Sequence, residues 1–434
     1  MIQDLVYGLR WLRKNPGFAV LAVLMLSVGI GVNTAMFSVI NAVLLEPLPY
    51  PEADRIVWMN ESGPEVANRH VSYPNFLDWR ERNHVFEAMS TFRGFSANLT
   101  GSGAAENLEA RIVSADYFRV MGATPMLGRD FTAEDDKPGA PAVTIISYRF
   151  WQQHFGGDQN IVGKELMLDG QAHTIIGVMP QTFVHQGPPP LWVLIGPHDW
   201  KHRDWRIAGN VVARLKPGVT IAQARDEMNR IARQLLQEHP VANAGANVVN
   251  VVSLQDSITG RVNTALKILF GAVGLVLLIA CANVANLMLA RAASRRKEFA
   301  LRAALGASRF RIVRQVLVES LLIAVAGGLL GLVLASWTIS LLSRVTHETV
   351  PRMSGMHLDG KVFAFNLVVS LLTGIVFGLI PAWRSSKTDL QETLKDSSSS
   401  TTETQGKKLR GALVVAEVAV SVALLIGAGL LVKS

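Results

Sequence analysis

The chain has 434 residues, 49% of them hydrophobic and 18% charged, with a formal net charge of +8 and a mean hydropathy of +0.27. Such long apolar runs with so few charges exclude an ordinary soluble domain. The positive surplus does not point to nucleic acid, because it is unevenly spread: Glu46 to Val262 carries 20 Lys+Arg against 24 Asp+Glu, or −4, and the remainder carries 22 against 10, or +12.

Residues 1–16 read as an amphipathic helix lying on a membrane surface. Ile2, Leu5, Val6, Leu9 and Leu12 share one face, Arg10 and Arg13 lie off it, and Pro16-Gly17 breaks it. Residues 17–45 follow as a first apolar span. A bilayer core needs about 20 apolar helical residues, whereas the apolar part of a signal peptide runs to about 7–15. This run is too long for a signal peptide, so it reads as an uncleaved span.

Residues 46–262 form a large insert of mixed α/β character. "AVTIISYRFWQQHF" reads as a strand and then a helix. "ELMLDGQAHTIIGVMP" reads as a hairpin turning at Asp169-Gly170. "GNVVARLKPGV" is a strand, Thr220 caps a helix from Ile221 to Glu238, and "NVVNVVSL" is another strand. The single cysteine, Cys281, lies outside the insert, so the insert folds on its apolar core without a disulfide.

Four further spans are expected at 263–290, 313–343, 361–383 and 412–432. A basic wedge at 291–312, an outer loop at 344–360 and a polar linker at 384–411 separate them. Small residues recur four apart in three spans: Ser27, Gly31 and Ala35; Gly327, Gly331 and Ala335; Ser370, Gly374 and Gly378. Such stripes let helix backbones approach closely in lipid. Asn283 and Asn286 must find partners inside the bundle. Glu319 is expected to pair with Arg311 or Arg314.

The positive-inside rule orients the bundle. Arg10, Arg13 and Lys14, then the wedge from Arg291 to Arg314, then Arg384 to Arg410 all fall on one side. That side is the cytoplasm, where anionic lipid attracts the charge. The insert is then extracytoplasmic. The expected fold is an α-helical transmembrane bundle of four spans plus a fifth C-terminal span, with a large α/β extracytoplasmic domain between spans one and two.

Within the wedge, "SRRKEFALRAALGASRFRIVRQ" suits a short helix, an elbow and a second helix. Glu298 stands four before Arg302, the favourable order for a helical ion pair. Leu305 adds apolar surface, Gly306 can take the left-handed turn that ends a helix, and Ser308 can cap the next one.

Several motifs fail on inspection. "GDQNIVGKE" has its glycines one residue too far apart for a phosphate loop and Glu165 in place of the hydroxyl. "HDWKH", His198 to His202, lacks the glutamate and the third ligand of a zinc site. No catalytic set and no cofactor is expected.

"RRKEFALRAALGASRFRIVRQVLVES" and "GIVFGLIPAWRSSKTDLQETLKD" resemble cytoplasmic motifs of ABC-transporter permeases of the MacB/FtsX type. "VSADYFRVMGATPMLGRDFTAEDD" and "ARLKPGVTIAQARDEMNRIA" resemble the periplasmic domain of that family. The chain is most similar to its duplicated orphan permeases of acidobacterial type, as a first module plus one helix of the second. The resemblance implies a multi-pass protein of the bacterial inner membrane, N-terminus inside, that transmits the motion of a separate ABC ATPase to its outer domain. Arg296, Lys297, Glu298, Arg302, Leu305 and Gly306 would dock that partner. Either a second copy or a second permease module would complete the assembly, with membrane lipids around it. The alternative is a membrane-anchored binding or sensory protein that works without an ATPase.

Overall fold

A computed structural model of the chain describes residues 2–63, 69–101, 105–183, 189–196, 208–245, 248–294, 308–345, 359–386, 411, 414–427 and 429. The chain divides into two compact units, Met1–Leu45 with Val262–Ser434, and Glu46–Arg261.

The first unit is helical. It contains α1 (Ile2–Lys14), α2 (Pro16–Ile40, running into a π-helical turn Asn41–Leu45), and, after the insert, α7 (Leu254–Ser294), α8 (Arg309–Val345) and α9 (Gly360–Ser386). Four segments are long and apolar enough to cross a bilayer: Pro16–Leu45, Val262–Arg291, Phe310–Leu341 and Gly360–Leu379. The protein is therefore a multi-pass membrane protein. The expected fifth span is described as a shorter apolar helix, Val414–Gly427.

The small-residue stripes are contact faces: that of α2 meets that of α8, and that of α9 meets a neighbouring face of α8. A Cβ added to Gly31 would stand 2.9 Å from the Gly331 carbonyl oxygen, and one on Gly331 would stand 3.1 Å from both Gly31 N and Ser27 O. Gly327 abuts Leu26 Cβ at 2.9 Å in the same sense. Gly328 faces Ser370, Gly374 faces Ala324 and Leu321, and Gly378 faces Ser320. So α8 is gripped by α2 on one side and α9 on the other, as packing without a hydrophobic drive requires.

Polar side chains tie these helices across the apolar layer. Asn33 donates to its own helix at Gly29 O (2.9 Å) and across to Val273 O on α7 (3.0 Å). Thr34 donates to Asn366 Oδ1 (3.0 Å), whose amide reaches Gly328 O (3.4 Å). Asn41 donates to Asp359 Oδ2 (3.0 Å), and Asp359 Oδ1 caps α9 at Val362 N (2.9 Å). The interhelical ties thus come from α2 and α9. Asn286 Oδ1 is buried without a hydrogen-bond partner.

The second unit is a ten-stranded sheet with helices on it. Its strands are β1 (Ile56–Ser62), β2 (Phe86–Thr100), β3 (Glu106–Val113), β4 (Leu127–Gly128), β5 (Val143–Ile146), β6 (Glu165–Leu168), β7 (Gln171–Val178), β8 (Leu191–Leu194), β9 (Asn210–Leu215) and β10 (Val248–Ser253). The order is β10-β1-β9-β2-β3-β8-β5-β7-β4, with β6 pairing β2 and β7. Pairing is antiparallel except for β3–β8 and β5–β7. The β5–β7 pair needs a crossover, which α5 (Tyr148–Phe155) begins.

Period-two alternation sorts side chains between two cores. Val57 and Met59 of β1, Val211 and Ala213 of β9, and Leu191 and Val193 of β8 join one core with α3 (Tyr73–Arg82) and α6 (Ile221–Glu238). Ile56, Val212, Trp192 and Leu194 join the other with α4 (Tyr117–Met121). There Phe118 touches the rings of Tyr117, Phe183 and Trp192 at 5.2–5.4 Å between centroids.

Local chemistry explains the turns. Asp169 and Gly170 both take positive φ, 48° and 80°, and join β6 to β7 where Leu168 pairs Gln171. This is the two-residue hairpin read from the sequence. Thr220 and Gln223 form a reciprocal capping box at the start of α6.

Two aspartates beside the second core titrate unusually. The Asp136 carboxylate accepts from Ala115 N (2.9 Å) and Gly196 N (2.7 Å), so it joins the segments that follow β3 and β8. Burial outweighs these bonds and pushes its pKa up to about 6. Burial also pushes Asp130 up to about 6. Asp135, bonded to Arg129 and Thr132, is instead pulled down to about 2. Between about pH 4 and 6 the folded chain therefore holds protons at Asp130 and Asp136 that the unfolded chain has released. Their contribution to stability is complete below pH 4 and is lost as the pH rises through 6, while Asp135 acts only below pH 4. Tryptophan-monitored melting should thus fall from pH 5 to pH 7 in the wild type. The fall should be smaller in Asp130→Asn/Asp136→Asn, and an identical pH slope in the two proteins would contradict the assignment.

Candidate coupling junction

The six residues expected to dock a partner, Arg296, Lys297, Glu298, Arg302, Leu305 and Gly306, lie outside the described residues. So do His198 and His202. What the structure does place are the two roots of the elbow: the end of α7 at Ser294 and the start of α8 at Arg309. Ser308 precedes α8, and its carbonyl accepts the Arg311 N–H at 2.9 Å.

Both roots are held by α1. Its sequence, "IQDLVYGLRWLRK", puts Asp4, Gly8 and Trp11 on successive turns of one face. Gly8 lets α1 lie close against α8: a Cβ there would stand 2.9 Å from Leu322 Cδ1. One turn earlier, Asp4 Oδ2 lies 2.7 Å from Arg314 Nη2 of α8 as an ion pair. Asp4 is the less exposed partner of that pair, 14% against 38% for the Arg314 side chain. This ion pair is therefore partly desolvated and is screened by salt less than an exposed pair.

At the other end of α1, Arg291 of α7 lies over the Trp11 ring at 5.1 Å and the Phe18 ring at 4.8 Å. Trp11 and Phe18 themselves meet edge to face at 5.7 Å. Arg291 also donates to Asn15 Oδ1. Asn15 is held in turn by the hydrogen bond that its side-chain amide donates to Trp11 O at 3.0 Å. A guanidinium suits this place because it stacks on two rings and still donates in its own plane. Each such contact is worth about 0.5–1 kcal/mol when exposed and about 2 when desolvated.

The structure departs from the sequence reading at Glu319. Arg314 goes to Asp4, and Glu319, almost wholly buried, accepts from Gln315 Nε2 at 3.1 Å. A sequence reading pairs Glu319 with the nearest arginines of its own helix, and it cannot see that Arg314 has a partner 310 positions upstream. Between the helices, Leu26, Val284, Met288, Ser320, Ile323, Thr373, Gly374 and Phe377 line a small gap. Among the described residues, no three His, Cys, Asp or Glu side chains come together as a metal would need. The contacts the junction shows, an ion pair, a cation against two rings and hydrogen bonds, can carry force.

Comparison with known proteins agrees with this division. Residues 19–231 match the MacB-like periplasmic core domain, and residues 270–390 match the FtsX-like permease C-terminal domain. The macrolide export ATP-binding/permease protein MacB of Bdellovibrio bacteriovorus is 26% identical over 304 residues, covering 67% of this chain and 44% of that protein. The pyoverdine export ATP-binding/permease protein PvdT of Pseudomonas syringae pv. syringae is 26% identical over 285 residues, covering 63% of this chain and 40% of that protein. The chain thus spans less than half the length of these curated relatives. The solved periplasmic region of MacB from Actinobacillus actinomycetemcomitans aligns with 51% of this chain and 97% of its own, at 13% identity and a TM-score of 0.36.

Proposed function

We propose that the chain, which belongs to the MacB/FtsX type of ABC-transporter permease, is the permease subunit of an export system in the bacterial inner membrane. A separate ATPase moves the elbow, α7 and α8 carry the movement across the bilayer, and the insert changes shape on the far side. The observation that carries this reading is the match, in chain order, of an outer-domain family to residues 19–231, which hold the first span and most of the insert, and of a permease family to residues 270–390, which hold the next three spans. The ionisable groups support transmission over conduction. The α8 acid Glu319 sits among packed helices against Gln315, and the interhelical ties of Asn33, Thr34 and Asn366 are neutral. A conducting path would call for polar or charged groups lining a water-filled cavity.

Arg10, Arg13 and Lys14 before α2, and the arginines from Arg291 to Arg314, support a cytoplasmic N-terminus and a cytoplasmic elbow. The insert then faces the periplasm.

Copurification tests the role. An ATPase should remain bound to the detergent-solubilised full chain isolated from its native membrane. Its consistent absence would favour the membrane-anchored binding or sensory reading. Labelling tests the orientation. With Cys281 replaced by serine, a cysteine at Ser294 should resist a membrane-impermeant thiol reagent in intact spheroplasts and react after lysis. Labelling of intact cells would reverse the topology and remove the role with it.

A further inference from the structure

The contacts around α1 join the two roots of the elbow by more than their own helices. Arg291 lies three residues before the last residue of α7, and Arg314 lies five residues after the first of α8. Both turn away from each other's helix and grip α1: Arg291 at Trp11, Asn15 and Phe18, and Arg314 at Asp4. Gly8, between these two grips, is pressed against Leu322 and lies 3.8 Å, as a Cβ would measure it, from Glu319 Cγ. The helix thus reaches both roots with opposite ends and contacts α8 between them. It also continues directly into α2, since only Asn15 separates Lys14 from Pro16.

We propose that α1 is a staple that fixes the spacing of the two elbow roots, with Asp4, Trp11 and Asn15 as its positioning residues, so that the elbow moves as one body with α2. Nothing in this requires α1 to touch a partner. The proposal rests on the reading above only in taking the elbow as the place where motion enters. Two observations support it independently of that reading. The contacts are of different kinds, a carboxylate–guanidinium pair and a cation on two rings, so no single trend such as basic residues seeking the surface accounts for both. They come from opposite ends of one short helix.

The consequence is mechanical. A push on the elbow that would otherwise spread α7 from α8 is passed instead to α2, which meets α8 backbone to backbone at Gly31 and Gly331. Removing the staple leaves the roots held only by the apolar packing further along, where Met288 of α7 and Ile312 of α8 share one buried cluster, and the roots then sample a wider range of separations.

Pulsed electron-spin distance measurement tests this on the full chain in lipid nanodiscs, with Cys281→Ser throughout and no ATPase present. Spin labels at Ser294→Cys and Ser308→Cys report the roots. A second pair, at Val32→Cys and Val333→Cys on exposed positions of α2 and α8, reports the bundle. The intact staple should give one narrow distance peak between the roots. Asp4→Arg or Trp11→Ala should lose that peak to a broad distribution and leave the bundle pair unchanged. Asp4→Arg combined with Arg314→Asp should restore it, as should Asp4→Glu alone. An unchanged root distribution in Asp4→Arg and Trp11→Ala would overturn the proposal. So would loss of the bundle peak in step with the root peak, since α1 would then be merely a packing element. Failure of the reversed pair to restore the peak would remove Asp4 from the staple. The measurement needs no partner, so an absent ATPase would defeat the proposed function and leave the staple standing.

Discussion

Gly331→Leu should prevent α2 and α8 from packing. The two helices touch through backbone at this point. A single Cβ on Gly331 already stands 3.1 Å from Gly31 N and from Ser27 O, and one on Gly31 stands 2.9 Å from Gly331 O and 3.2 Å from Gly331 Cα. These neighbours are backbone atoms of a helix and cannot swing aside as a side-chain tip can. A leucine adds three more carbons to a place that must already shift for one. Overpacking a tight site costs about 1–3 kcal/mol and occasionally more, and separating the helices would also pull Thr34 from Asn366. We expect a loss of about 3 kcal/mol for Gly331→Leu, read as the shift in the unfolding midpoint on titration with a denaturing detergent. Gly31→Ala should lose about 1 kcal/mol, at the low end of the same range. The control lies on α7. Gly271 and Gly274 have nothing within 4 Å of where a Cβ would be, so leucine at either should leave the midpoint within about 0.5 kcal/mol of wild type, as for other open surface positions. Equal losses on α7 and α8 would show that the contact at Gly331 is not what holds the bundle.

That contact also marks how far the sequence could be read. Small residues four apart on hydrophobic spans are visible without coordinates, and the three stripes did prove to be the contact faces. Which stripe meets which was not visible, because hydropathy is nearly uniform around such a helix and does not fix its rotation. For the same reason the sequence reading placed the polar ties at Asn283 and Asn286 of α7, whereas among the described residues the bonds across the apolar layer come from Asn33, Thr34, Asn41 and Asn366. In the insert, features set by neighbours in sequence were legible: the Asp169-Gly170 turn, the Thr220 cap, and the extent of α6 from Ile221 to Glu238. The long strands β1 and β2 were not. The first half of β2 is buried on both faces, so it lacks alternation, and β1 hides Asn60 and Glu61 in the fold. Glu61 accepts from Asn75, which also donates to Asn243, a tie spanning 168 residues. Burial of a charge by distant partners leaves no local pattern to find. The junction divides in the same way. The arginines of the wedge announced themselves, and the partner of Arg314 did not.

Reversing two adjacent charges, Lys297→Glu with Glu298→Lys, should abolish retention of the ATPase while the chain still inserts. The sequence places both in the expected docking helix beside Arg296, Arg302 and Leu305, with Gly306 as the turn. Neutralising one exposed charge would be a poor test, because a surface ion pair is worth only about 0–1 kcal/mol. Reversal sets like charges face to face across the contact, which costs several kcal/mol. The pair exchange also keeps the net charge of the wedge, so the signal that orients the spans is untouched. Membrane fractionation should therefore show wild-type amounts of the variant. Pull-down with the ATPase that copurifies with the wild-type chain should recover none. Gly306→Val approaches the same surface from the backbone. A β-branched residue at a left-handed turn is strained by about 1–2 kcal/mol, and it should misdirect the helix while leaving every charge in place. Loss in both variants, one altering charge and the other direction, would locate the docking surface in this helix. Retention of the ATPase at wild-type strength in either would move that surface elsewhere on the chain, and the elbow would keep only its role as an anchor.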